Sequence, residues 1–87
     1  MAMTEHEIFD GFAATVEEFA EKPASDVTPE ADLVEDLDID SLTMVEIIVS
    51  AQDKFGIEIP DADLKDLRTV QDVVDYVQRA QRSSVGA

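Results

Sequence analysis

The chain has 87 residues, enough for one small domain, which we take as residues 1–87 with an ordered core over about 4–82. It contains 21 Asp or Glu against 6 Lys or Arg, a net charge of −15. Such a surface repels nucleic-acid phosphates and anionic lipid, so we expect neither nucleic acid nor a membrane as a ligand and favour basic partner surfaces.

The acidic residues are concentrated in the middle of the chain. From Pro23 to Asp53 there is no Lys or Arg. Such a concentration of negative charge indicates a surface that is used for binding. Cysteine is absent, the start MAMTEHEIF has no signal-peptide features, and the longest apolar run is too short to cross a bilayer. We therefore expect a soluble, cytoplasmic monomer without membrane insertion.

The first helix is predicted to begin at Thr4, which can form a capping box with Glu7, and to end before Pro23. A long connection over residues 22–40 follows, and such connections are often functional. Thr28 to Glu30 favours one short turn of helix there. Four apolar residues of the connection are expected to hold it to the core: Leu33, Val34, Leu37 and Ile39.

Apolar spacing predicts three further helices. The second runs from about Ser41 to Phe55 and stops at Gly56, and a short third lies near 61–67. The last begins at Thr69, which can form a capping-box-like pair with Asp72, and frays from Ser83. We predict an all-α fold, a four-helix bundle with a short third helix and a long loop between helices one and two.

The second predicted helix has two apolar faces. One face, expected to meet the core, carries Met44, Ile47, Ile48, Ala51 and Phe55. The other carries Leu42, Val45 and Val49, with Glu46 and Asp53 beside them. Either the helix is buried on two sides, or the second face is an exposed apolar strip edged by carboxylates, as at partner-binding sites.

The residues before this helix resemble the start of a calcium loop. Asp36, Asp38 and Asp40 have the alternate spacing of an EF-hand, but Ser41 and Ile47 stand where that loop needs glycine and glutamate. We expect no metal site.

Ser41 has several possible roles. A catalytic serine needs a base within reach, and the only histidine, His6, lies in another helix. Position alone leaves open an ordinary helix-start serine or an acceptor that another enzyme modifies.

The segment Leu33 to Ile47, LVEDLDIDSLTMVEI, resembles the phosphopantetheine attachment region of acyl carrier proteins, with Asp40, Ser41 and Leu42 as its motif. The resemblance covers about Ile8 to Val77 and looks most like the free-standing type II fatty-acid carriers of actinobacteria. It implies a four-helix bundle with a short third helix.

The family resemblance also implies a function. A phosphopantetheinyl transferase would move 4'-phosphopantetheine from coenzyme A to Ser41, and acyl groups would ride on the arm as thioesters for fatty-acid or related acyl biosynthesis. The chain would then be a carrier and not an enzyme. Its partners would be the transferase and acyl-processing enzymes with basic docking patches.

Particular residues match the family's functional positions. The partner-binding surface would comprise Leu42, Val45, Glu46 and Val49, to which the acidic neighbour Asp53 is added from the helical wheel. A pocket for the acyl chain would draw on Leu33, Ile47, Ala51, Phe55, Ile59 and Leu67, each of which is equally well read as plain core.

Two residues depart from the family pattern. Asp38 stands where many members have glycine, which implies a stiffer loop or an altered choice of transferase. Gln52 stands where many carry an acid, which implies a weaker part of the recognition surface. Two alternatives to a fatty-acid carrier remain. One is a polyketide or peptidyl carrier, and the other is an acidic interaction module that is never modified.

Overall fold

The computed structural model describes residues 3–86, with side chains for residues 3–82. Four helices account for most of it: α1 (Glu5–Ala20), α2 (Ser41–Phe55), α3 (Asp61–Leu64) and α4 (Val70–Gly86). The predicted all-α fold with a short third helix is confirmed. Met1, Ala2 and Ala87 lie outside the described residues, so the domain limits and the fraying from Ser83 stay predictions. Within residues 3–86 no helix is long and apolar enough to cross a membrane.

The predicted capping box fixes the start of α1, and the helix ends before Pro23 as predicted. Thr4 Oγ1 accepts a hydrogen bond from Glu7 N, and Glu7 Oε1 accepts one from Thr4 N. The bond from the Thr4 backbone lowers the pKa of the Glu7 carboxyl. At the other end Glu21 takes a left-handed conformation (φ 58°), and Pro23 follows where a helix cannot continue.

Helix α1 packs against both α2 and α4, and its glycine allows a close approach. A Cβ atom at Gly11 would lie 3.1 Å from ring atoms of Phe55, so the ring would have to shift by a few tenths of an ångström to admit a larger residue there. The core is built from apolar side chains of every helix except α3, with Ile8, Phe12, Val16, Ile47, Val70, Val73 and Val77 fully buried.

The long connection is fixed to the segment that precedes α4. Leu33 N donates to Arg68 O at 2.8 Å, and Asp32 and Thr69 form an isolated antiparallel bridge. Because the connection is tied down close to α2, the residues just before α2 have a defined position.

Two details of the connection differ from expectation. Leu33, Leu37 and Ile39 are buried as predicted, but Val34 is 61% exposed, because the turn over residues 33–36 points it away from the core. The helical turn also comes earlier than predicted, at Ala24–Asp26, while Thr28 only closes a hydrogen-bonded turn to Ala31.

Helix α4 begins with the predicted capping pair. Thr69 Oγ1 accepts from Asp72 N, and Asp72 Oδ2 accepts from Thr69 N. Val70 N donates to Ala31 O of the connection, so a helix-start N–H that lacks an intrahelical partner is satisfied by the loop.

A tyrosine on α4 holds the short helix α3 in place. Tyr76 Oη donates to Asp63 Oδ2 at 2.7 Å and to Glu58 O at 3.4 Å. The Asp63 carboxylate raises the pKa of Tyr76 to about 12, because it accepts a hydrogen bond from the protonated hydroxyl and would repel a phenolate. With only four residues, α3 depends on such outside contacts for its position.

Candidate functional site

Ser41 is the first residue of α2, and its side chain is exposed. Asp40 caps the helix: its Oδ1 accepts from Thr43 N at 2.8 Å. This bond holds the pKa of the Asp40 carboxyl below its usual range. The Asp40 side chain is therefore engaged with the backbone, while the Ser41 hydroxyl is presented to solvent.

The backbone turns sharply just before this motif. Asp38 has φ 55°, a left-handed conformation that Asp tolerates better than most residues and that glycine adopts without strain. The next residue, Ile39, is buried, and its N–H donates to Leu33 O. The glycine that the family resemblance implies for position 38 would adopt this conformation without strain.

The second face of α2 is an exposed apolar strip. Leu42 is 71% exposed, Val45 52% and Val49 56%, and Glu46 and Asp53 are also exposed. The core-facing set is buried, with Met44 half-buried. Of the two alternatives for this helix, the structure shows the exposed strip.

A groove of about 550 Å³ lies beside Ser41, between α2, α3 and the long connection. We call it the Ser41 groove. Its apolar lining consists of Val34, Ile39, Met44, Ile48, Leu64 and Leu67.

The predicted acyl-pocket residues are distributed differently from this lining. Leu67 lines the groove, whereas the other five are buried in the core: Leu33, Ile47, Ala51, Phe55 and Ile59. Their role toward an acyl chain stays a prediction.

Charged residues also line the Ser41 groove, and they are of both signs. The acids are Asp32, Glu35 and Asp40, and the bases are Lys65 and Arg68. Hydrogen bonds from Glu35 N and Val34 N, with a smaller contribution from the Arg68 guanidinium, lower the pKa of Asp32.

Sequence reasoning missed the two basic residues and Leu64. The available signal was charge: two of only six basic residues stand three positions apart, in the segment just before the last helix.

Two of the three carboxylates with EF-hand spacing accept backbone hydrogen bonds of the loop and of α2. Asp36 Oδ2 accepts from Asp32 N at 2.7 Å, and Asp40 caps α2. Across the residues with described side chains, no group of three or more candidate ligands is placed to hold a metal ion.

His6 lies away from Ser41. Its Nε2 is 3.1 Å from Asp10 Oδ2 on the surface of α1. It lines a separate cleft with Phe9, Pro29 and Val74. The two residues do not form a nucleophile–base pair.

The surroundings of Ser41 fit the phosphopantetheine that the resemblance implies. An exposed hydroxyl at the first residue of a helix leaves room for a phosphodiester, and the helix N-terminus favours its negative charge. The groove beside it offers apolar surface to the rest of the arm.

Comparison with known proteins agrees with this geometry. The family model described as a phosphopantetheine attachment site matches residues 10–77. An acyl carrier protein of Thermobifida fusca is 63% identical over 79 residues, 91% of this chain and all of that protein. An acyl carrier protein of Acidothermus cellulolyticus is 49% identical over 84 residues, 97% of this chain and all of that protein.

A relative with a more specific name is also similar. The meromycolate extension acyl carrier protein of Mycobacterium leprae is 51% identical over 84 residues, covering 97% of this chain and 73% of that protein. With the family model matching most of the chain and full-length relatives at this identity, the chain belongs to the acyl carrier protein family and carries acyl intermediates on a covalently attached 4'-phosphopantetheine.

Proposed function

We propose that Ser41 is the residue to which the phosphopantetheine is attached. The observation that carries this proposal is the exposed Ser41 hydroxyl at the start of α2, beside a largely apolar groove and inside the matched region. The chain has no cysteine, so the thiol that holds the acyl group as a thioester comes from the arm.

The attachment reaction is carried out by a phosphopantetheinyl transferase. Ser41 Oγ bonds to the phosphorus that carries the pantetheine portion of coenzyme A, the bond from that phosphorus to the bridging oxygen breaks so that adenosine 3',5'-bisphosphate leaves, and the serine proton passes to a base. His6 lines a different cleft, so we assign that base to the transferase. In this reaction the chain is a substrate, and the structure supports its role by exposing the hydroxyl.

The exposed face of α2 is the proposed docking surface for the transferase and the acyl-processing enzymes. Leu42, Val45 and Val49 supply apolar contact, which gives affinity when it is buried. Glu46 and Asp53 beside them attract basic patches and set the register of docking.

The acyl chain is proposed to shelter first in the Ser41 groove. Met44, Ile48 and Leu64 offer apolar surface there, and each methylene taken out of water contributes about 0.8 kcal/mol. A longer chain would pass Leu67 in the groove and would reach the other five predicted pocket residues only by parting the core around them.

We assign the carrier to fatty-acyl synthesis or extension in the cytoplasm, as a monomer. The support is the acidic character of the chain and its identity to relatives, one of which is named for meromycolate extension. Transfer of polyketide or peptidyl intermediates is the competing assignment, and the acyl groups that the carrier accepts distinguish the two.

The attachment site is tested by intact mass before and after incubation with coenzyme A and a broad-specificity transferase. The parent should gain one phosphopantetheine, and Ser41→Ala should gain none. Ser50→Ala, on the same helix, is the matched control and should be loaded like the parent. Loading of Ser41→Ala would assign the arm to another residue.

A further inference from the structure

The Ser41 groove brings two basic residues to the attachment residue of a chain that has few of them. Lys65 and Arg68 are two of six Lys or Arg in the whole sequence, and both line this groove with Ser41. Both side chains are exposed. Nothing in the core requires them there, which raises the question of what they bind.

Neither basic side chain forms an ion pair or a hydrogen bond within the described residues, although the Arg68 charge acts on Asp32 at longer range. Across residues 3–82, no carboxylate oxygen lies within 4.0 Å of either one, and neither donates a side-chain hydrogen bond. Of the three acids that line the groove, two already accept backbone hydrogen bonds: Asp32 from Val34 N and Glu35 N, and Asp40 from Thr43 N.

The backbone around Arg68 is well fixed. Arg68 N donates to Asp72 Oδ2 at 3.0 Å, and Arg68 O accepts from Leu33 N at 2.8 Å. The Arg68 side chain therefore extends from a fixed backbone position at the groove, and only its own torsion angles remain adjustable. A substitution that keeps the backbone will therefore test the charge without disturbing the loop.

We infer that Lys65 and Arg68 bind the phosphate of the arm on Ser41 and so hold the arm along the groove. This inference rests on the proposed attachment at Ser41. The phosphate is bonded to Ser41 Oγ, so it stays next to the groove that these cations line, at a high effective concentration. Arginine and lysine are the side chains that bind phosphate oxygens best.

The other charges of the groove reinforce this choice. A phosphodiester carries one negative charge and stands among Asp32, Glu35 and Asp40, so the field directs it away from them and toward the two cations. Placed there, the arm leads along Met44, Ile48 and Leu64 and not outward into solvent. Because such exposed pairs are weak, a docked enzyme can take the arm over.

The test uses the loaded protein, with loading checked by intact mass, and compares Lys65→Gln/Arg68→Gln with Arg79→Gln/Arg82→Gln. Both pairs change the net charge from −15 to −17 and replace exposed residues, but Arg79 and Arg82 do not line the Ser41 groove. The readouts are phosphorus-31 transverse relaxation of the phosphodiester and the amide shift changes that loading causes at residues 64–68.

In the parent, loading should shift the amides of residues 64–68. The Lys65/Arg68 variant should load fully and lose most of those shifts. Its phosphorus should relax about two- to fivefold more slowly, because losing exposed ion pairs of ordinary strength lowers the held population of the arm by about that factor. The Arg79/Arg82 variant should match the parent.

Two results would overturn the inference. If the protein gains phosphopantetheine but residues 64–68 do not respond, or if both variants behave alike, the cations do not hold the phosphate and the attachment proposal stands. If the parent gains no mass, or if Ser41→Ala still gains it, the attachment proposal fails and the inference fails with it.

Discussion

At the scale of single residues, the left-handed backbone at Asp38 gives a direct prediction. At φ 55° the Cβ of any residue other than glycine lies close to the following carbonyl, which costs about 1 kcal/mol; aspartate tolerates this conformation better than alanine because its short polar side chain can interact with the local backbone. We expect Asp38→Ala to lower the free energy of unfolding by about 1 kcal/mol and Asp38→Gly to change it by less than about 0.5 kcal/mol.

Urea denaturation measures both variants. Glu35→Ala is the control, because it also removes one exposed acid but has no positive φ. An equal loss in Asp38→Ala and Asp38→Gly would mean that the aspartate side chain, and not the backbone conformation, is what position 38 requires.

The Tyr76–Asp63 hydrogen bond gives a prediction in alkali. The pKa of Tyr76 is raised to about 12 from 10.0, so the bond stabilises the fold fully below pH 10 and its contribution is lost as the pH rises toward 12. Tyr76 is the only tyrosine and there is no tryptophan, so ultraviolet absorbance follows this one group.

Asp63→Asn should bring the midpoint of the tyrosine titration back toward 10. Asp61→Asn, in the same helix and without a bond to Tyr76, should leave it near that of the parent. A midpoint near 10 in the parent would mean that α3 is not held by this contact in solution.

At the scale of elements, the helices could be predicted because each has its own local signal. Thr4 with Glu7, Thr69 with Asp72, and Gly56 mark helix ends that the structure confirms. The two faces of α2 also followed from the helical period, although only packing could show which face is exposed.

The groove and the loop details were harder to predict because they depend on distant contacts. Val34 is apolar like the nearby buried residues Leu33 and Leu37, and its exposure is decided by a turn and by the pairing of Leu33 with Arg68. Likewise, nothing local places Leu64 and Lys65 beside Ser41, because three segments from different parts of the chain form the groove.

The exposed face of α2 gives a prediction about partners. Glu46 is exposed on the proposed docking surface, so Glu46→Lys should weaken binding to a phosphopantetheinyl transferase about three- to tenfold at low salt, by replacing attraction with repulsion. The unfolding free energy should change by less than about 0.5 kcal/mol, as for other surface substitutions.

Glu18→Lys is the control, since it makes the same charge change on the exposed face of α1. Dissociation constants and thermal melts for the two variants separate local docking from net charge. Equal losses of affinity in both variants would mean that only long-range attraction by the net charge is involved. An unchanged affinity in Glu46→Lys would mean that Glu46 is not part of the docking surface.

At the scale of the whole molecule, the net charge of −15 is held within principal extents of 36 × 25 × 20 Å. The only ion pair among the described residues is that of His6 with Asp10, which is charged only when the histidine is protonated. The acids are therefore largely uncompensated within the chain, and their mutual repulsion opposes folding. A partner with a basic patch would relieve that repulsion as it docks.

Screening by salt should relieve the same repulsion. Between about 10 mM and 100 mM NaCl the Debye length falls from about 30 Å, comparable to the molecule, to about 10 Å. If this stabilises the fold by about 1 kcal/mol, the melting temperature rises by about 4–8 °C.

Asp26→Asn/Glu30→Gln removes two exposed acids that make no side-chain hydrogen bond within the described residues, and brings the net charge to −13. Calorimetry should then show a higher melting temperature at 10 mM and a smaller gain from salt. A melting temperature indifferent to salt in both proteins would show that the acidic surface costs the fold little.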